Sequence, residues 1–323
     1  MMGLTVAVTG TTTFFGEDLL RGLEADSQIE RIIALDSKPP KPSGPKTVWR
    51  KLDLIHPRAP EVLTSELSTQ SVDALVHSAT LARPVHRGGW AHELEAVGTR
   101  HVLAAAEATQ LRKVILRSTT LCYGALASNP NYLPESAPLQ GGSQSPFIAD
   151  KVEVESQVAR FAQKHPDRVV TTLRFGPLLG PRCDTIAVNY LSRRLCPTLL
   201  GYDPLFQVMH EDDASGAVIA ALHKDVRGAV NVAATGVVTL SNAIRLAGST
   251  PVPTPRRVLH RTLRTLWSAR LGNFPPGLLD LLKYVSVGDV RRMENELQFQ
   301  PRLDVVAALQ SFGATRQVAR AAA

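Results

Sequence analysis

Short runs of aliphatic and β-branched residues alternate with helical patterns through the first half of the chain. Leu4 to Val8, Ile29 to Leu35, Thr47 to Leu54, Asp73 to His77, Lys113 to Ser118 and Val169 to Arg174 each read as strands. Phe15 to Leu23, Trp90 to Thr109 and Pro146 to Lys164 carry apolar residues at helical spacing between them. Strands separated by helices in this way predict an α/β fold with a doubly wound parallel sheet. A Pro-rich turn from Lys38 to Pro42 precedes the third strand. After Pro177 the rhythm breaks into loop-rich segments, and only Val230-Asn-Val-Ala233 reads as a later sheet strand. We therefore expect a first domain over residues 1–176 and a smaller substrate-binding or lid region over 177–323. A segment around 207–233 should return to the first domain, and the smaller region should lie over the carboxyl edge of the sheet, where such folds bind ligands.

The 323 residues, 44% of them hydrophobic, suffice for a full core. Cys122, Cys183 and Cys196 show neither paired nor metal-ligand spacing, which leaves no metal site to expect and suits a reduced, cytoplasmic setting. The chain enters a strand almost at once, with no basic segment followed by a long apolar stretch, so neither a signal peptide nor a membrane span is expected. The net charge of +7 favours anionic ligands or surfaces, but no aromatic-laced basic stripe accompanies it, so nucleic acid is not an expected partner.

Val6-Ala-Val-Thr-Gly-Thr-Thr-Thr-Phe-Phe-Gly16 is a strand running through a tight turn into a helix. Glycine there lets backbone amides approach a pyrophosphate at a helix N-terminus, although any tight strand-helix turn favours glycine. Asp36 closes the second strand, where a carboxylate can accept hydrogen bonds from the ribose hydroxyls of an adenosine and repel a 2′-phosphate, favouring NAD over NADP. Lys38, close by, opposes that preference. A terminal Asp is also a common turn former.

In their order and spacing these segments resemble the extended short-chain dehydrogenase/reductase superfamily, in its NAD-dependent epimerase/dehydratase branch, with a Rossmann-type sheet. The resemblance runs from about Leu4 to Arg302. Of its T-G-x-x-G-x-x-G turn the chain keeps Gly10 and Gly16 and has Thr13 at the middle glycine, where a β-carbon would crowd the phosphates. The resemblance implies an NAD site formed by Gly10, Thr12, Thr13, Phe14, Phe15, Gly16 and Asp36. Asp53 and Leu54 would lie beside the adenine, and Ser78, Ala79 and Thr80, in a stretch like V-x-H-x-A-A, would follow the cofactor.

The segment Ser118 to Gly124 resembles the S-S-x-x-x-Y-G signature, which puts Thr119 on the hydroxyl that polarises a substrate oxygen. Lys151 falls on the lysine of the Tyr-x-x-x-Lys motif, which in the family holds the nicotinamide ribose. Phe147 stands at the tyrosine, so the usual acid/base group is missing. Tyr123 is the first substitute to consider, followed by Asp150, Tyr132 and Glu135. Thr119 and Lys151 also have plain readings, as a strand-end threonine and a solvated helix lysine.

Other departures concern the substrate. Thr120-Leu121 replaces the Asp-Glu pair that dehydratases of the superfamily use to eliminate water. Pro177 stands where many epimerases have an asparagine, and Phe206-Gln207 replaces a frequent basic clamp before the H-V-D-D-V-A-like stretch at His210. We expect Pro177, Phe206 and His210 to face a pocket more apolar than a nucleotide-sugar site. From Arg256 to Leu271, Arg257, Arg261 and Arg264 share one helical face and Leu259, Leu263, Leu266 and Trp267 another. That pattern suits a lid helix with a solvated basic side, or a contact with a membrane surface. The resemblance further implies a homodimer formed through the helices at Trp90–Thr109 and Pro146–Lys164. Two functions stay open: an oxidoreductase transferring a hydride at an alcohol or ketone carbon of a sugar or apolar small molecule, and a catalytically silent NAD-binding protein.

Overall fold

The computed structural model describes residues 3–321 apart from residues 42 and 273, so Pro42 of the Pro-rich turn lies outside the described residues. Seven parallel strands form the central sheet. β1 (Leu4–Thr9), β2 (Ile29–Asp36), β3 (Thr47–Lys51), β4 (Ala74–His77), β5 (Lys113–Thr119) and β6 (Val169–Phe175) stand in the order 3-2-1-4-5-6, and Gly228–Val232 pairs beyond β6. The order reverses between β1 and β4, which opens a crevice at the strands' carboxyl ends.

Side chains alternate across the sheet and define two cores. Val6, Val8 and Ile115 pack with helix α1 (Phe14–Ala25) and with the helix Glu211–His223. On the opposite face Ala7, Leu75, Val114 and Leu116 pack with α2 (Ala59–Thr69) and with further helices between Gly88 and Lys164. A third core lies in the C-terminal part, among small two-stranded sheets and helices that include Arg256–Ser268 and Val305–Ala321.

Several expected boundaries shift. The third strand stops at Lys51, because just beyond it the chain turns at Asp53, whose carbonyl accepts from His56 N at 3.1 Å and whose side chain accepts from Ile55 N at 3.2 Å. The long helix after β4 comprises α3 (Gly88–His92), a π-turn over Glu93–Val97, and α4 (Gly98–Glu107). Helix α5 spans Pro146–Lys164. Val102, Ala105, Val154 and Val158 of α4 and α5 are buried in their own chain's core, while Val97 of the π-turn and Val152 of α5 stay partly exposed. The helix Arg256–Ser268 likewise turns Leu259 and Leu263 into the third core, and Trp267 stacks on His86 with ring centroids 4.0 Å apart. Its apolar stripe is thus largely used inside the protein, while Arg257, Arg261 and Arg264 are exposed. No helix of the described residues is long and apolar enough to cross a membrane.

Thr13 shows how the turn tolerates losing a glycine. Its backbone, at φ −84° and ψ 158°, is extended and open to any residue, and it caps α1. Its hydroxyl accepts from Gly16 N at 3.1 Å and donates to Gly10 O at 2.9 Å. Thr13→Ala should therefore cost about 1 kcal/mol in chemical denaturation, and Thr13→Gly only a few tenths.

Candidate functional site

The turn after β1 is built by close approach. Gly10 has φ +74°, and a β-carbon there would lie 2.6 Å from Ala79 N. One on Gly16 would lie 2.2 Å from Gly10 O. Only bare backbone lets α1, the turn and the Ser78-Ala79 segment converge, and Ser78 Oγ ties them by donating to Thr9 O at 2.6 Å. Thr12 donates from both N and Oγ1 to Asp36 Oδ2 at 3.0 Å, and Ser37 N donates to Oδ1 at 2.7 Å. Ser37 Oγ also donates to Oδ1, at 3.3 Å, so Asp36 is held at the rim of the turn with its lone pairs engaged, two of them by hydroxyls that ribose hydroxyls could replace. Asp53 is exposed and accepts from Ile55 N at 3.2 Å, a turn-forming role, while Leu54 is buried beside Gly98. Phe15 is buried under the turn and Phe14 partly so. A glycine cradle that a β-carbon would fill, first-turn amides without intrahelical acceptors and a carboxylate at the tip of β2 together fit a dinucleotide.

A cleft of about 1340 Å³, open mouth included, lies over β4, β5 and β6; neither Gly10 to Gly16 nor Asp36, Asp53, Leu54 or Ser78 lines it, and it meets the turn at Ala79, against which Gly10 packs. Of the expected residues, Ala79, Thr80, Thr119, Phe147, Lys151, Pro177 and Phe206 line it. Leu178, Ile186, Leu205, Leu240 and Leu282 make the remaining wall largely apolar. Thr119 Oγ1 accepts from Leu121 N at 3.3 Å, so its own proton is available to a bound oxygen.

Lys151 does not sit as a ribose anchor would. Its ammonium has three hydrogens, and they meet Thr80 Oγ1 at 2.7 Å, Glu95 Oε1 at 2.8 Å and Leu81 O at 2.9 Å. Lys151 and Glu95 are both buried, and the lysine nitrogen lies 4.5 Å from the centroid of the Phe147 ring. The π-turn carries Glu95 into the cleft, where Leu81 N also donates to it at 2.7 Å and Thr80 Oγ1 at 3.0 Å. Beside it His77 is buried, and desolvation lowers its pKa to about 4, so it is neutral. Thr99 Oγ1 gives its hydrogen to Glu95 O at 2.6 Å, so His77 Nε2, 3.0 Å away, is the donor to Thr99. Nδ1 then accepts from Thr9 Oγ1 at 2.7 Å.

Tyr123 is not placed to replace the missing phenol. It is 1% exposed and outside the cleft lining. Its hydroxyl donates to Asn231 Oδ1 at 2.7 Å and accepts from Arg174 Nη1 at 2.8 Å, and burial raises its pKa. Arg174 in turn pairs with Glu155 at 2.7 Å, so the whole group ties β6, α5 and the last strand together. The other substitutes also point elsewhere: Asp150 pairs with His92 at 2.8 Å, Tyr132 is exposed, and Glu135 accepts from Asn231 N at 3.0 Å. His210 caps the helix Glu211–His223 and is absent from the cleft wall, because its ring accepts from Asp212 N at 3.3 Å.

Two cleft residues escaped the reading of the sequence. Glu95 gave no signal, since it reads as one more charge on a helix. Arg117 did give one: it interrupts the buried run Val114-Ile-Leu. It lines the cleft with its guanidinium carbon 4.2 Å from the centroid of the Phe15 ring, and burial lowers its pKa to about 10.

A parallel sheet with this strand order, a glycine turn and a carboxylate after β2 define a Rossmann-type dinucleotide-binding protein. Residues 6–233 match the model of the NAD dependent epimerase/dehydratase family, and the chain belongs to that family, whose cofactor is NAD. An uncharacterised protein of Mycobacterium tuberculosis (strain ATCC 25618 / H37Rv) is 32% identical over 318 residues, covering 95% of this chain and 82% of that one. A 3-diazoavenalumate denitrifying reductase of Streptomyces is 26% identical over 239 residues, 71% of this chain and 75% of the other. Among solved structures, a UDP-glucose 4-epimerase of Thermotoga maritima superposes with a TM-score of 0.75 at 16% identity, over 98% of this chain and 100% of that one. A dTDP-glucose 4,6-dehydratase of Bacillus anthracis gives 0.74 at 16%, over 98% and 97%.

Two outcomes are expected from this geometry. Lys151→Met should destabilise the fold by about 3–5 kcal/mol in urea denaturation, because Glu95 would remain buried without its partner, and adding Glu95→Leu should recover most of the loss. In titration calorimetry NADP should bind more weakly than NAD, since its extra phosphate meets Asp36, and Asp36→Ser should narrow the gap.

Proposed function

We propose that this protein is an NAD-dependent oxidoreductase acting at an alcohol or ketone carbon of a largely apolar small molecule. The observation that carries this reading is Thr119, whose uncommitted hydroxyl proton opens into an apolar cleft at the end of β5, next to the dinucleotide turn. NAD, when bound, supplies or takes up the hydride. Thr119 donates its hydrogen bond to the substrate oxygen and orients it. Phe147, Leu178, Phe206 and Leu282 exclude bulk water around the apolar body. The proton that balances the hydride passes through water, because Lys151 has all three hydrogens engaged and Phe147 has none to give. The Streptomyces relative, named as a reductase, supports net reduction over epimerisation.

A specific observation also favours the second reading, a silent NAD-binding protein: the lysine of the degenerate motif is committed to Glu95. In either case Phe147→Tyr alone should restore little, since its new phenol finds that lysine already engaged. We propose further that the chain works as a homodimer in the cytoplasm, and light scattering would test the assembly.

The test follows NADH absorbance over steroid, isoprenoid, aromatic and sugar-nucleotide alcohols and ketones. We expect wild-type turnover that falls about tenfold or more in Thr119→Ala. The double variant Phe147→Tyr/Glu95→Gln should gain turnover where Phe147→Tyr alone does not, toward the ~10²–10⁴-fold of general acid catalysis. Tight NAD binding with no turnover in any variant would instead establish the silent reading.

A further inference from the structure

We propose that Arg117 forms a binding site for a phosphate oxyanion at the inner end of the cleft, beneath the start of α1. Among the described residues four lysines and arginines are buried: Lys113, Arg117, Lys151 and Arg174. Three have carboxylate partners: Asp225 at 2.9 Å from Lys113, Glu95 at 2.8 Å from Lys151 and Glu155 at 2.7 Å from Arg174. Arg117 has no carboxylate within ion-pair distance, although it feels the Glu95 charge, and its Nη1 is buried without a hydrogen-bond partner. The rings of Phe15 and Phe14, at 4.2 and 5.7 Å, hold the guanidinium but supply no acceptor. A buried charge without a hydrogen-bonded partner is costly, and Arg117 is part of the cleft wall, where a planar guanidinium suits phosphate oxygens.

Thr13 supplies an independent reason for a cation here. By capping α1 it takes the Gly16 amide, one of the donors a helix N-terminus would otherwise offer an anion. Arg117 reaches the first residues of the same helix from β5 and restores positive charge to that end of the cleft. The oxyanion is either the diphosphate of the dinucleotide or a phosphate on a second ligand. The first source rests on the NAD-dependent reading; the second does not.

Calorimetry and thermal melts of wild type, Arg117→Met and Arg117→Lys test this with NAD, ADP-ribose, adenosine and inorganic pyrophosphate. Without ligand Arg117→Met should melt at or above wild type, because an unpaired charge has been removed. Its affinity for NAD and ADP-ribose should fall ~10- to 100-fold, with Arg117→Lys between and adenosine unchanged. If NAD affinity is unchanged, but pyrophosphate added to the NAD-saturated protein stabilises wild type and not Arg117→Met, the oxyanion belongs to the second ligand and the site stands. If NAD binds neither protein while pyrophosphate still distinguishes them, the oxidoreductase reading fails and the anion site stands. A lower melting point in Arg117→Met, with equal response of both proteins to NAD, ADP-ribose and pyrophosphate, would make Arg117 a packing residue and overturn the proposal.

Discussion

A cation removed from water must find an anion, and that requirement organises the site of this protein. Lys151 occupies the position that the family devotes to the cofactor ribose, yet it is buried and meets Glu95, Thr80 and Leu81. The pair joins α5 to the π-turn and to the segment leaving β4, so the floor of the cleft is fixed by electrostatics as much as by packing. Phe147 fits this arrangement. An aromatic face beside the ammonium adds a cation–π contact and brings no second titratable group into a crowded low-dielectric cluster.

The same constraint separates structural from functional polar groups. Tyr123, Arg174, Glu155 and Asn231 form a closed network in which each donor has an acceptor, and it binds the sheet to α5. His77 is neutral and engaged at both ring nitrogens. Thr119 and Arg117, both in the cleft wall, in contrast keep hydrogen-bonding capacity that no protein group uses. A group with unspent capacity at a cavity wall is where a ligand gains most, because no internal partner has to be given up.

The fold was legible in the chain because buried parallel strands leave a strong mark: Ile32-Ile-Ala-Leu35 and Val114-Ile-Leu116 admit no half-exposed reading. Helices with weak amphipathic contrast were not legible. Ala59–Thr69 mixes serine, threonine and glutamate through its apolar positions, and Glu211–His223 is apolar on most sides because α1 and Phe299 both pack on it. Local chemistry was readable at the glycine turn, where the Gly16 approach to Gly10 and the Thr13 cap are short-range, although Gly10 itself is pressed against Ala79, much later in the chain. The partner of Lys151 lies 56 residues earlier in the chain and enters through a π-turn, and those of Tyr123 lie 51 and 108 residues later. No motif spacing encodes such pairs. Lys151, which the family pattern singles out, lines the cleft, but its hydrogen bonds depend on Glu95, which the motif does not include.

Glu95 holds Lys151 in this structure, and it should still do so with the cofactor bound. A crystal structure with NAD bound measures this most directly. The lysine nitrogen should stay within hydrogen-bond distance of the Glu95 carboxylate, 2.8 Å in the free protein, with the nicotinamide ribose held by other groups. A lysine released from Glu95 and bonded to the ribose hydroxyls would contradict it.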